Sequence, residues 1–196
     1  MTFEYPKGAT PLDPDDLNGL KHGHVTTRGE LDQLEQANIV EGLRWLDRVR
    51  NPDILSGAFI RDLHRNMFGE VWEWAGRFRT RETNIGCPPY EIPVLLRQLL
   101  DDVKYWIENE SYPKVEIALL FHFRLVKIHL FPNGNGRHAR ILADELLRKV
   151  LGGNPIDWSK GYDLQVMNPR RIEYLEAIYA AEKGDLGPLL RFAGVE

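Results

Sequence analysis

A strongly apolar segment, residues 115–128, runs directly into a polar, glycine-rich stretch, residues 129–140. The apolar residues cover most of the circumference that a helix would have there. A helix of that kind is normally buried at the centre of a domain. We therefore predict a fold built around a central helix, with the polar stretch following its C-terminal end.

Helical spacing of apolar residues recurs along the rest of the chain. Thr27 and Glu30 fit a capping box, so they predict a helix that starts at Thr27 and continues to about Arg50. The proline at position 52 would end it. The other predicted helices cover residues 56–69, 94–107, 113–128, 135–152 and 169–183, with a short helical tail after residue 188.

Residues 70–93 differ in composition from these helices. Their valine, tryptophan, phenylalanine and threonine residues favour extended structure. Asn84, Gly86, Pro88 and Pro89 form turns. The predicted fold class is therefore all-α, with one small inserted β-hairpin.

Length and composition limit the other possibilities. A chain of 196 residues with 43% hydrophobic residues fits one domain, which we assign to residues 25–196, after an irregular leader at 1–24. The net charge of −4 gives no overall basic field, so direct nucleic-acid binding is not expected. The N-terminus lacks the pattern of a signal peptide, and no apolar run spans a bilayer. We expect a cytoplasmic protein without a membrane partner.

His129 lies where the apolar helix gives way to a loop. Histidine titrates near neutral pH and can accept a proton from a hydroxyl group. An isolated histidine at a helix end would more often cap a carbonyl. The residues that follow His129 favour the interpretation as a general base.

The loop that follows is rich in asparagine and glycine. Gly134 and Gly136 permit backbone angles that other residues avoid, and successive amides can then form an anion-binding nest. The next helix adds the free amides and positive dipole of its N-terminus. An ordinary Asn-Gly turn between helices would explain the glycines equally well.

Arg137 and Arg140 are three residues apart on the next helix, so they share a face. Both lie in its first turns, where the helix dipole disfavours cations. An anionic ligand would explain them, and arginine binds phosphate oxygens in a bidentate manner. The alternative is a solvated arginine face.

Residues 129–140 resemble the Fic (Fido) family signature, His-x-Phe-x-(Asp/Glu)-Gly-Asn-Gly-Arg-x-x-Arg. Residues 63–79 are similar to the family's stretch before its flap hairpin, and residues 171–189 to its closing helices. The leader at 8–14, together with Pro132 and Asn133, resembles a branch called mobile mystery protein B. The signature positions matched are His129, Phe131, Gly134, Asn135, Gly136, Arg137 and Arg140.

The resemblance implies a protein adenylyltransferase that moves AMP from ATP, assisted by Mg2+, to a Ser, Thr or Tyr hydroxyl of a target protein. His129 would deprotonate that hydroxyl, and Phe131 would anchor the loop. The phosphates would lie on Gly134, Asn135 and Gly136, with Arg137 and Arg140 holding the β- and γ-phosphates. A target segment would pair with the flap by strand addition. The flap residues assigned to this docking are Thr83, Asn84, Ile85, Gly86 and Tyr90.

Asn133 occupies the acidic position of the family signature. An amide oxygen can ligate Mg2+, but it carries no charge, and Mg2+ prefers carboxylates and phosphates. We therefore expect a weak metal site at Asn133. Three alternatives follow from asparagine at this position: slow catalysis, another nucleotide donor, or an inactive nucleotide-binding regulator.

Regulation within the chain has little support in the sequence. Residues 26–30 have part of the spacing of the family's inhibitory helix, but a capping box explains Thr27 and Glu30 more simply. The branch is associated with mobile elements, so the resemblance implies a toxin-like protein restrained by a separate inhibitory partner. Among the other histidines, we place His64 and His122 in the core or at its boundary. We place His138 on the surface.

Overall fold

The computed structural model describes residues 11–195, and these residues confirm the helical fold class. The α-helices are α1 (Pro14–Leu17), α2 (Arg28–Arg48), α3 (Gly57–Phe68), α4 (Ile92–Glu108), α5 (Lys114–Ile128), α6 (Asn135–Glu145), α7 (Pro169–Glu182) and α8 (Gly187–Phe192). A π-helical stretch, Leu146–Leu151, extends α6, and a 3-10 turn, Pro89–Glu91, precedes α4.

Helix α2 begins with the predicted capping box. The Thr27 hydroxyl accepts a hydrogen bond from the Glu30 amide at 3.2 Å, and the Glu30 carboxylate accepts one from the Thr27 amide at 2.9 Å. Helix α2 then packs closely on α3, because Gly42 has no side chain: a Cβ there would lie 2.8 Å from Cα of Met67. This close approach holds the two helices together on one side of the site.

Helix α5 is the central helix. Its Leu119 and Phe121 side chains are fully buried, and the helix contacts α4, α6 and α8. This burial follows from its apolar circumference, as predicted. No helix within residues 11–195 is both long and apolar enough to cross a membrane.

The predicted β-hairpin is wrong for the described residues. Residues 79–88 form an irregular loop, and the β-pairing found within residues 11–195 is an isolated antiparallel bridge between Leu20 and Trp72. The guanidinium of Arg79 donates hydrogen bonds to the carbonyls of Arg81 and Cys87. These two carbonyls accept a side-chain donor instead of the amide of a facing strand, and no ladder forms within residues 79–88. We keep the name flap for residues 79–88.

Part of the predicted leader packs on the domain, while residues 1–10 lie outside the described residues. The Lys21 amide donates to the Val71 carbonyl at 2.9 Å, and the Leu12 side chain is buried. Arg81 forms ion pairs with Asp13, at 2.5 Å, and with Asp15. These contacts fix residues 11–24 against the base of the flap.

Candidate active site

His129 is the residue at which α5 ends. Its backbone is left-handed (φ 58°, ψ 67°), and its amide donates to the Leu125 carbonyl at 3.0 Å. The His129 carbonyl accepts a hydrogen bond of 2.6 Å from Nε of Arg79. The side chain is only 4% exposed, yet it lines a cleft. The end of the helix therefore presents the imidazole at a fixed position.

The environment of His129 favours its neutral form. Burial lowers the pKa of the imidazole to about 4, and the positive charge of Arg79 acts in the same direction. A hydrogen bond with the Val126 backbone opposes these effects only in part. At neutral pH the ring is uncharged, which is the state that a general base requires.

Asn135 holds the glycine loop together from the inside. Its Oδ1 accepts from the Phe131 amide at 2.9 Å, and its Nδ2 donates to the Phe131 carbonyl at 2.7 Å. Because both polar ends of the side chain bind Phe131, the side chain holds the loop in shape, and the main-chain amide of Asn135 is the candidate for contact with an anion. Phe131 is fully buried, as an anchor of the loop would be.

His64 supports the same loop from α3, a role that the sequence did not indicate. Its Nδ1 accepts a hydrogen bond from the Gly76 amide at 3.0 Å, so Nε2 carries the proton and donates to the Asn133 carbonyl at 3.0 Å. Its ring stacks on Phe131 with 3.7 Å between centroids. Burial holds the pKa of His64 well below its usual value, which keeps the ring neutral.

Gly134 has a left-handed backbone (φ 78°) and immediately precedes α6. A Cβ at this position would lie 2.6 Å from Cζ of Phe68 and 3.3 Å from Nε2 of His64, so the site accepts only glycine. No side chain caps α6. The amides of its first turn therefore form a potential anion-binding terminus.

The two arginines have different surroundings. Nη2 of Arg137 lies 2.7 Å from Oε2 of Glu35, and its guanidinium stacks over the Phe68 ring at 4.9 Å. Glu35, on α2, also accepts a hydrogen bond from the Trp72 indole at 2.8 Å. Glu35 is a site residue that was not predicted from the sequence, although its position among the apolar residues of α2 was a signal.

Arg140 has no carboxylate in ion-pair contact within the part of the chain that the structure describes. It hydrogen-bonds to Tyr174 on α7, and its guanidinium lies 5.6 Å from that ring. The Tyr174 hydroxyl is 3.0 Å from Nε2 of His122, so a buried chain of contacts orients the arginine. Burial lowers the pKa of Arg140, and the charge of Arg137 acts in the same direction, whereas Tyr174 and Asp144 oppose the shift. An anion in the cleft would neutralise the charge of Arg140.

A cleft of about 850 Å³ brings most of the predicted site residues together. Thr83 and Tyr90 do not line it, and Tyr90 is 79% exposed. Arg28 and Arg171 also line the cleft and add positive charge that was not predicted from the sequence. The predicted residues that line the cleft are His129, Asn133, Gly134, Asn135, Gly136, Arg137, Arg140, Asn84, Ile85 and Gly86, and the apolar residues added by α7 and its preceding loop are Leu164, Leu175, Ile178 and Tyr179.

The residues of the cleft do not fit a magnesium site built by the protein. Among the described residues, Glu182 is the one carboxylate in the lining. Oδ1 of Asn133 turns back to accept the Gly134 amide at 2.6 Å. Residues 11–195 contain no cluster of three or more His, Cys, Asp or Glu side chains suited to a metal ion. Mg2+ prefers carboxylate and phosphate oxygens, and among the described residues the lining of the cleft supplies a single carboxylate.

The surface position predicted for His138 is wrong. Its side chain is 1% exposed, its Nε2 lies 2.8 Å from the Ile60 carbonyl, and its ring packs edge-on against Phe131. Helix α6 packs against α3, so this face of the helix is buried. His64 and His122 are buried, as predicted.

The fold and the site together define a helical domain that presents a neutral histidine in the same cleft as an uncapped helix N-terminus. Residues 54–147 match the Fic/DOC family. The chain therefore contains a Fic/DOC family domain, as the resemblance implied.

Curated relatives carry the name protein adenylyltransferase. The Fic protein of Drosophila mojavensis is 33% identical over 181 residues, which cover 86% of this chain and 34% of the relative. The fic-1 protein of Caenorhabditis elegans is 29% identical over 145 residues, covering 71% and 27%. The chain thus spans about a third or less of each relative's length. A solved structure of part of C. elegans Fic-1 has a TM-score of 0.64 at 25% identity and covers 90% of this chain and 51% of that one.

Proposed function

We propose that this protein transfers AMP from ATP to a hydroxyl group of a target protein. The observation that carries the proposal is the position of His129, a neutral and buried imidazole lining the same cleft as the uncapped N-terminus of α6. The names of the relatives, protein adenylyltransferase, support the same reaction class.

In the proposed reaction, His129 accepts the proton of the target hydroxyl. The hydroxyl oxygen forms a bond to the α-phosphorus of ATP, the bond from that phosphorus to the bridging oxygen breaks, and pyrophosphate leaves. The amides of Asn135 and Gly136 and the guanidinium of Arg140 would hold the phosphates. The protein thereby contributes positioning and charge stabilisation.

Arg137 enters this proposal in a more restricted way. Its guanidinium is already paired with Glu35 and stacked on Phe68. A phosphate contact by Arg137 would therefore use the donors that Glu35 leaves available. Arg140, which has no carboxylate in ion-pair contact among the described residues, is the stronger candidate for the main cationic contact.

The target would lie along the flap. Asn84, Ile85 and Gly86 line the cleft on the side of His129. Since the flap contains no strand ladder of its own, we propose that an extended target segment pairs with its main chain. Magnesium enters the proposal only with the substrate, as the magnesium complex of ATP.

A second candidate function is a nucleotide-binding regulator without catalysis. Asn133 favours it, because the loop lacks a carboxylate where a metal would be held. Such a protein would bind ATP in the cleft without transferring AMP.

Intact-mass spectrometry separates these two functions. Purified protein and host lysate proteins would be incubated with ATP and Mg2+, with His129→Ala as the control. A mass gain of about 329 Da that disappears in His129→Ala supports AMP transfer with His129 as base. ATP binding without any mass gain supports the regulator, and an equal gain in His129→Ala contradicts the role of His129.

Expression in host cells tests the toxin-like role that the resemblance implies. Growth inhibition by the wild type, lost in His129→Ala and relieved by a separate inhibitory protein, would support it. Equal inhibition by both variants would show that toxicity does not depend on AMP transfer.

A further inference from the structure

The geometry points to Arg79 as a positioning residue that holds His129 and the flap in one fixed arrangement. Arg79 belongs to neither the glycine loop nor the docking segment, and no sequence pattern indicated a role for it. The inference rests on the proposed function, because it concerns how the base is placed relative to the target hydroxyl.

The guanidinium of Arg79 binds four main-chain carbonyls. Two lie at the C-terminal end of α5: Nε donates to His129 at 2.6 Å, and Nη2 donates to Ile128 at 3.2 Å. The other two belong to the flap: Nη1 donates to Arg81 at 2.8 Å, and Nη2 also donates to Cys87. One rigid group thus connects the end of the central helix to two points of the flap.

The helix end explains why a cation lies there. The last carbonyls of a helix have no partners within the helix and carry the negative end of its dipole. Arg79 is 4% exposed and has no carboxylate in ion-pair contact among residues 11–195. Only a planar group with five donors can satisfy four carbonyls in different directions, so lysine is not equivalent.

Gly86 brings the flap into direct contact with both residues. Its backbone is in the left-handed half of conformational space (φ 115°). A Cβ at Gly86 would lie 2.6 Å from Nη2 of Arg79 and 2.7 Å from Cβ of His129. Since flap, guanidinium and histidine are packed without intervening space, moving the guanidinium would move both the base and the docking segment.

The charged and titratable groups near His129 come from several elements. Arg79 and Cys87 approach from the flap, and Lys127 lies on α5. The other charged or titratable side chains that line the same cleft are Arg28 from α2, Arg124 from α5, Arg137 and Arg140 from α6, and Arg171, Tyr174, Tyr179 and Glu182 from α7. Of these, Arg79 is the charge that lowers the pKa of His129. Removing the positive charge should therefore raise that pKa, whereas a lysine should preserve it in part.

The experiment compares Arg79→Met and Arg79→Lys in the full chain, with Arg77→Met as the matched control. Arg77 is an exposed arginine two residues away. An NMR titration of the His129 ring reports on charge and position without requiring catalysis. Steady-state AMP transfer gives kcat and the KM values for ATP and target.

In Arg79→Met we expect the midpoint of the His129 titration to rise by about one pH unit or less, and kcat to fall at least about tenfold. In Arg79→Lys the midpoint should stay nearer that of the wild type, while kcat still falls and the KM for ATP stays the same. Arg77→Met should behave as wild type. Unchanged titration and unchanged kcat in a folded Arg79→Met would overturn the inference.

Two further outcomes remain decisive. If Arg79→Met does not fold, Arg79→Lys alone tests the inference, because wild-type kcat in that variant would contradict the need for a planar four-carbonyl contact. If the wild type itself transfers no AMP, the proposed function fails. The titration then decides the positioning role separately, and an unchanged His129 midpoint overturns it.

Discussion

Glu35 and Arg137 are 102 residues apart in the sequence, and their carboxylate and guanidinium lie 2.7 Å apart in the structure. The Glu35 side chain is 2% exposed and that of Arg137 is 13% exposed. The pair joins α2 to the helix that follows the glycine loop. Through this ion pair, a helix from the N-terminal half of the chain supports the site from behind.

Replacing Glu35 with Gln should lower the free energy of unfolding by about 3 kcal/mol, because it leaves a buried guanidinium without its counter-charge. Urea unfolding of the two proteins at neutral pH would measure the difference. Glu41→Gln is the matched control, since Glu41 forms an exposed pair with Arg44 on the same helix. That change should cost less than about 0.5 kcal/mol. If both changes lower the free energy of unfolding equally, the buried pair stabilises the fold no more than the exposed pair does.

Acid should destabilise the fold through its buried histidines. Burial lowers the pKa of His122 to about 3 and those of His129 and His138 to about 4, and it places that of His64 well below its usual value. An unfolded histidine takes up its proton near pH 6.5. Between the two values the unfolded chain binds more protons, so stability falls as the pH falls.

Asp144 acts in the opposite direction. Burial raises its pKa to about 6, so the folded chain gains a proton there before the unfolded chain does. We expect the free energy of unfolding, measured with urea, to fall by a net amount on the order of 3 kcal/mol between about pH 7.5 and about pH 5.5. Asp144→Asn should steepen the loss. Equal stability at the two pH values would contradict the assignment of neutral buried histidines.

Replacing Gly134 with Ala should lower stability by about 2 kcal/mol or more, because the left-handed backbone and the contacts with Phe68 and His64 leave no room for a Cβ. Thermal or urea unfolding would measure this. In the control, Gly29→Ala, the new methyl group meets nothing within 4 Å on an exposed part of α2. Alanine there should be neutral or stabilising by up to about 1 kcal/mol. A harmless Gly134→Ala would mean that the loop adapts, and its shape would then not depend on glycine.

Replacing Asn133 with Asp should create the carboxylate that the loop lacks. With a non-hydrolysable ATP analogue present, Mn2+ should bind about tenfold more tightly than in the wild type, because added ligand charge strengthens the binding of hard cations. Calorimetry or the EPR signal of free Mn2+ would measure this directly. Asn133→Ala should bind Mn2+ as the wild type does. Identical Mn2+ affinity in Asn133→Asp would show that residue 133 does not face the metal.

Local sequence information was sufficient for the helices and for the ends of several of them. The capping box at Thr27, the apolar circumference of α5 and the glycine at 134 each act through neighbours a few residues away. For the same reason, the sequence indicated that His129 ends the central helix. The chemical character of residues 129–140 could also be predicted from the sequence, because it depends on residue types within twelve positions.

The tertiary structure decided which polar groups became partners. Three of these contacts join distant parts of the chain. They are Glu35 with Arg137, His64 with the Asn133 carbonyl, and Arg79 with His129. The burial of His138 and the irregular flap have the same origin. A residue's periodicity shows which face of a helix is apolar, but buried donors and acceptors must find partners wherever packing brings them together. The polar pairs of this site form only when α2, α3 and α6 pack together in the folded protein.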